Sequence, residues 1–237
     1  MGRLLNWPTD LYWERQQILA GPRTVGASQT TSTVGFNQTT QSPFGSWVIQ
    51  LDFPRLQEKA YRAYRGWVAG MQGGANATRF TMVDFHGAIT LNPDGTERPR
   101  LIGFDEGFGF EERNHPFQFP ATLVRVASPS AQGDTIIHLE QEEWEPQLQV
   151  GDYIGFVPFH FGKYLITQDM GEGRYRVTLP LRTSIDENTY ATLFPTLAMR
   201  LTSEDAAPVG RTTAQSDALS VTLTEVFHDD VLEFFND

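Results

Sequence analysis

Between Ser46 and Phe53 the chain alternates: Trp47, Ile49, Leu51 and Phe53 fall on one side, Val48, Gln50 and Asp52 on the other. That period of two predicts a strand with one buried face. Pro54 ends it, and the period changes. From Arg55 to Met71 the residues Leu56, Ala60, Tyr64, Trp67 and Met71 recur at helical spacing, with Arg55, Glu58, Lys59, Arg62 and Arg65 opposite them. The pattern predicts an amphipathic helix over 55–71, stopped by Gly73-Gly74. Arg79 to Asp84 (RFTMVD) reads as a strand that pairs with Ser46–Phe53.

Upstream, Leu11 to Ala20 (LYWERQQILA) fits a strand or a short helix equally. Val25 to Gln41 is rich in Thr, Ser, Gln and Asn and poor in apolar residues, the texture of an exposed loop or an extended arm. Loops of that length tend to be functional, and in an assembly such an arm could lie across a neighbouring subunit. Downstream, Asn92-Pro93-Asp94-Gly95 has the chemistry of a turn. Gly103 to Phe110 is a Gly/Phe-rich loop with two readings. Either one or two of its Phe residues anchor it in the core, or Phe104, Phe108 and Phe110 form an aromatic tip that docks on a partner.

From Phe117 onward the texture is purely β: TLVRVAS, DTIIHLEQ, GDYIGF, KYLITQ, RYRVTL, YATLF and LAMRL. Turns are expected at Gly151-Asp152, Gly162-Lys163 and Glu172-Gly173. Seven short strands at this spacing predict a barrel or sandwich, with Leu148 to Leu201 reading as a complete small barrel. Leu219 to Phe227 alternates again, as a strand returning to the first unit would, so the barrel is expected to be an insertion. The closing HDDVLEFFND reads as a short helix or an arm anchored by Phe234 and Phe235. The expected fold is mainly β: a β-sandwich or barrel with one flanking helix, plus an inserted small β-barrel. The expected division is 1–115 with 204–237, and 116–203.

Composition narrows the function classes. The 237 residues carry a net charge of −11, which argues against sequence-independent binding to nucleic acid, since that rests on Lys and Arg neutralising phosphates. An acidic surface is still compatible with a role that repels DNA, for instance along a channel wall. With no cysteine, disulfides, thiolate nucleophiles and cysteine-held zinc are excluded. Seventeen Phe, seven Tyr and five Trp suit pleated surfaces and protein interfaces. MGRLLNWPTDLYWE has no signal-peptide pattern, and no stretch approaches the roughly 18 apolar residues of a membrane span. A protein made in a cytoplasm, without membrane insertion, is the expectation.

The residues nominate no catalytic set. His86, His115, His138, His160 and His228 are scattered, with no HExxH spacing. Glu111-Glu112 with His115, and His228-Asp229-Asp230, read as solvated charged loops rather than half metal sites. There is no P-loop and no GxSxG elbow. Carboxylates such as Glu142-Glu143 or Asp105-Glu106 are merely adjacent in sequence. His138 and His160 read as structural histidines on barrel strands. No enzyme activity, cofactor or metal is expected.

The order of elements resembles a known family. A strand (SWVIQLDF), a Trp-bearing helix ending in Gly-Gly, the Leu148-x-x-Gly151-Asp152-x-Ile154 motif and Val177-Thr178-Leu179-Pro180-Leu181-Arg182 follow one another as in distal tail proteins. These belong to long, non-contractile-tailed bacteriophages and gene-transfer particles, and the resemblance covers roughly Ser46 to Leu201. It implies a tail-tube-like ring-forming domain and a peripheral barrel, in a structural virion protein of the tail tip. Such a protein is assembled in the host cytoplasm and joins the tail tube to the baseplate hub around the DNA channel. It implies self-association, with a hexamer as first expectation from the sixfold rings of tube proteins and a threefold tip component as the alternative it leaves open, and contacts with tail tube and hub proteins. Arg62, Arg65, Trp67, Phe104, Phe108 and Phe110 are the candidate subunit contacts. An alternative is a carbohydrate- or host-surface-binding barrel, with Trp144, Tyr153, Phe159 and Tyr164 as stacking platforms. The segment Phe85–Asn114 is longer and richer in Gly and Phe than the resemblance leads one to expect.

Overall fold

The computed structural model describes residues 2–21, 30–31, 37–38, 45–82, 84, 123–140, 148–158, 160–207, 217–227, 230 and 235–236. The protein is mainly β; among the described residues its full-length helix is α1, and six strands close an antiparallel barrel. Its strands in chain order are β1 (Arg3–Leu5), β2 (Arg15–Ala20), β3 (Thr30–Thr31), β4 (Asn37–Gln38), β5 (Val48–Phe53) and β6 (Ala77–Thr81). Helix α1 (Glu58–Met71) lies between β5 and β6. The barrel strands are β7 (Leu123–Ser128), β8 (Ile136–Leu139), β9 (Tyr153–Val157), β10 (His160–Asp169), β11 (Arg174–Thr178) and β12 (Tyr190–Thr192). Then come β13 (Thr196–Leu201), β14 (Leu219–Glu225) and β15 (Phe235–Asn236).

One sheet runs in the order β15-β1-β6-β13-β14-β5-β2, parallel at β15-β1-β6 and antiparallel across the rest. The alternation predicted from Ser46 to Phe53 holds: Trp47, Ile49, Leu51 and Phe53 are buried. Residues 11–20, ambiguous by pattern, form the edge strand β2 on β5. Within the polar stretch 25–41, the short β3 and β4 pair antiparallel; the rest of it lies outside the described residues. At the C-terminus the anchoring element is strand β15, paired with β1.

Three expectations about pairing and boundaries are corrected. β6 does not pair with β5, because β13 and β14, the two strands that follow the barrel, insert between them. LAMRL is therefore no barrel strand: β13 is the middle strand of the sheet, paired with β6 and β14. Alternation shows why it belongs there. Leu197 and Met199 join the helix-side core, whereas Ala198 faces the other way with Leu4, Ala77 and Val226. The third correction is Gly162-Lys163, which forms no turn; both lie within β10, where its register on β9 shifts between His160 and Tyr164, and the chain reverses before it, after β9.

Helix α1 starts at Glu58, three residues after the expected start at Arg55, though Leu56 is still buried. Tyr64, Trp67 and Met71 press onto the sheet, where Trp67 meets Trp7 at a ring separation of 4.9 Å and Tyr64 meets Phe53 at 5.5 Å. The helix ends on left-handed Gln72 and a pair of left-handed glycines. At Gly74 (φ +97) a Cβ would stand 2.6 Å from the Leu201 carbonyl oxygen, so the close approach of helix end to β13 needs glycine. Asn76 ties the same corner together, its amide donating to Gly70 O at 2.6 Å and its carbonyl accepting Arg3 N–H at 2.8 Å.

The barrel closes in the order β10-β11-β8-β7-β12-β9 around its own core of Val124, Val126, Ile137, Ile154, Phe156, Tyr164, Ile166 and Tyr175. Two apolar clusters, each large, mark two packing units: one between sheet and helix, one inside the barrel.

Candidate functional site

The two motifs that carry the family resemblance are structural joints. In Leu148-x-x-Gly151-Asp152, Gly151 is left-handed (φ +104) and the Asp152 carboxylate accepts Gln149 N–H at 2.7 Å, a self-capped turn that launches β9. Leu148 is buried in the barrel core. In Val177–Arg182, Val177, Leu179 and Leu181 line the same core, and Arg182 leaves the barrel toward the sheet.

Arg182, largely covered, is one of three charged side chains gathered where barrel meets sheet, the other two being buried. Its guanidinium donates to the Gly45 carbonyl at 2.9 Å and to Glu225 Oε2 at 2.9 Å, and lies over the Phe227 ring at 4.3 Å. Glu225, at the end of β14, is 1% exposed; its Oε2 also accepts Trp47 N–H at 3.0 Å. Burial pushes the Glu225 carboxyl above its ordinary range, outweighing the pull of Arg182, the Trp47 N–H and Lys163 in the opposite direction.

Lys163 is the third. Alternation along β10 sends Tyr164 into the barrel and Lys163 out of it, against the sheet, and β9 does the same with Ile154 and Tyr153. The Lys163 amine stands 3.4 Å from the Tyr153 ring centroid and 4.6 Å from that of Trp47, and the residue is 0% exposed. The Trp47 indole donates to the Lys163 carbonyl at 3.1 Å, so one residue pair crosses the junction twice. Desolvation lowers the Lys163 pKa to about 7, against the opposing fields of Asp84 and Glu225.

A second layer steadies these groups. Tyr164 OH is hydrogen-bonded to His160 Nε2 at 2.8 Å and accepts Arg182 N–H at 3.0 Å, and burial raises its pKa to about 12. His160 is thus a satisfied structural histidine, as its strand position predicted. His138 has Ser128 Oγ 3.4 Å from its Nδ1.

The residues nominated from the sequence fall into three groups. Arg62 and Arg65 are exposed on the solvent side of α1, together with Arg55 and Lys59. Trp67 is 4% exposed and built into the core, so its ring supplies packing rather than a surface for a neighbour. Tyr153 is half-buried with Lys163 over its ring, and Tyr164 is 0% exposed inside the barrel, with no face for a sugar. Phe104, Phe108, Phe110, Trp144 and Phe159 lie outside the described residues.

Among the described residues no group of three or more His, Asp or Glu is placed to hold a metal ion, and no helix is long and apolar enough to cross a membrane. No protein-family model matches the chain, and no curated protein sequence matches it.

The junction was missed by sequence reasoning for one physical reason. Gly-Lys reads as a turn, which would leave Lys163 solvated. A signal was nonetheless present on β14, where Glu225 continues the inward register of Leu219, Val221 and Leu223. A carboxylate in a buried register requires a partner.

Proposed function

We propose that the chain is a structural protein of the tail tip of a long, non-contractile-tailed bacteriophage or gene-transfer particle. In this reading it is a ring-forming adaptor that joins the tail tube to the baseplate hub around the DNA channel. The observation that carries the proposal is the use made of the two resemblance motifs. The first caps the turn that launches β9 within the closed barrel, and the second leads from the barrel core to the Arg182–Glu225 pair that ties the barrel to the helix-backed sheet. That is the economy of a building block.

The sheet and α1 supply the ring, with Arg62 and Arg65 on the exposed helix face as subunit contacts, and the barrel projects outward. The net charge of −11 suits a lumen through which DNA slides without adhering. Partners are other copies of the chain, the tail tube protein and the hub; no cofactor is required. The particle is assembled in the host cytoplasm and the protein resides in the virion. Mass photometry and negative-stain microscopy of the full chain, alone and with tail tube and hub proteins, test the proposal. A closed ring, sixfold as first expectation, supports it; a protein that stays monomeric under all of these conditions refutes it.

A further inference from the structure

Lys163 has a chemistry that a passive joint does not require. Its amine is fully buried and, among the described residues, has no hydrogen-bond acceptor, while Glu225 Oε1 nearby is equally without a donor. A buried ammonium is held by rings or anions or else loses its proton. Here Tyr153 faces it from β9 and Trp47 from the segment leading into β5. Glu225 acts on it from β14 and Asp84 from beyond β6, and Arg182 occupies the near oxygen of Glu225. Every one of these contacts except that with Tyr153 crosses from barrel to sheet.

We propose that Lys163 is a proton-controlled latch, whose charge state sets how tightly the barrel is held against the sheet. The inference does not depend on what the chain assembles with. Docked, the amine is desolvated, and its pKa falls from 10.5 to about 7. Undocked, it returns to water and its ordinary value. The undocked state therefore binds more protons between those two values, so docking tightens as pH rises from about 7 toward 10.5. Below about 7 the burial penalty on the cation is complete and the latch is at its weakest.

The chain holds two lysines, Lys59 and Lys163, which makes the test direct. Full-length protein labelled with ¹³C at lysine Cε gives two resonances, with the exposed Lys59 as internal reference. The Lys163 resonance is expected to titrate with a midpoint near 7. Hydrogen exchange supplies the mechanical readout. Protection of the Trp47 indole N–H, which donates across the junction to the Lys163 carbonyl, corrected for base catalysis, should increase from pH 6 to pH 9 in the natural protein and stay flat in Lys163→Met. Titration of Lys163 together with Lys59 overturns the proposal. So does an equal rise of protection in Lys163→Met. Should that variant not fold, the titration of the natural protein decides alone.

Discussion

Replacing Arg182 by Met removes one half of an ion pair whose other half cannot reach water. Glu225 is 1% exposed, and its remaining donor is Trp47 N–H at 3.0 Å. Breaking a buried pair from one side typically costs about 3–5 kcal/mol, because the surviving charge is left uncompensated. The opposite change, Glu225→Gln, is milder. The amide oxygen can still accept Trp47 N–H, and Arg182 keeps the Gly45 carbonyl and the Phe227 ring. The loss of one charged hydrogen bond gives about 1.5–3 kcal/mol. In the double variant neither member of the Arg182–Glu225 pair survives as an unpaired charge, so its cost should fall short of the sum by about 1–3 kcal/mol.

Urea unfolding followed by Trp fluorescence, on the natural protein and the three variants, measures this. A pH series adds an independent check. The Glu225 carboxyl is raised by burial, so its protonated form is favoured in the fold, and that contribution is lost as pH rises through the raised value. Without Arg182 the value rises further, so the Arg182→Met deficit should shrink as pH falls from 7 toward 5, while the double variant shows no such trend. Additive costs together with a deficit that ignores pH would refute the reasoning.

One more outcome follows from burial, and another from the proposed subunit contact. Trp67→Ala should cost about 3–5 kcal/mol in thermal unfolding, since it empties the space between α1, Trp7 and Tyr64, and Trp67→Phe should cost clearly less. A loss below about 1 kcal/mol in Trp67→Ala would contradict its place in the core. Arg62→Glu combined with Arg65→Glu, both exposed on α1, should leave stability within about 0.5 kcal/mol while lowering the ring population in mass photometry. Unchanged assembly would remove that helix face from the proposed subunit contact.

Local pattern was enough for most of the elements. Period two in 46–53 and 219–227, and helical spacing from Leu56 to Met71, named strand, strand and helix, because burial of one face is written into each segment separately. The count of short strands after 117 likewise announced a barrel. Neighbour relations were a different matter. Nothing in RFTMVD or LAMRL distinguishes a partner 30 residues away from one beyond an inserted barrel, and β13 entered the sheet only because the chain returned there after closing the barrel.

The candidate site divides the same way. Arg62, Arg65 and their exposure could be read from helix periodicity. Trp67 could be read as apolar but not as wholly enclosed. Lys163, Arg182 and Glu225 come from three distant segments; the first two look solvated or ordinary in their own context, and Glu225 alone betrays itself by its inward register. The sequence by itself determined which faces had to be hidden, since side-chain direction follows from backbone period. Only tertiary structure decided that two hidden faces meet, and so brought three charges out of water at one junction: their partners are supplied by long-range packing, which local pattern does not encode.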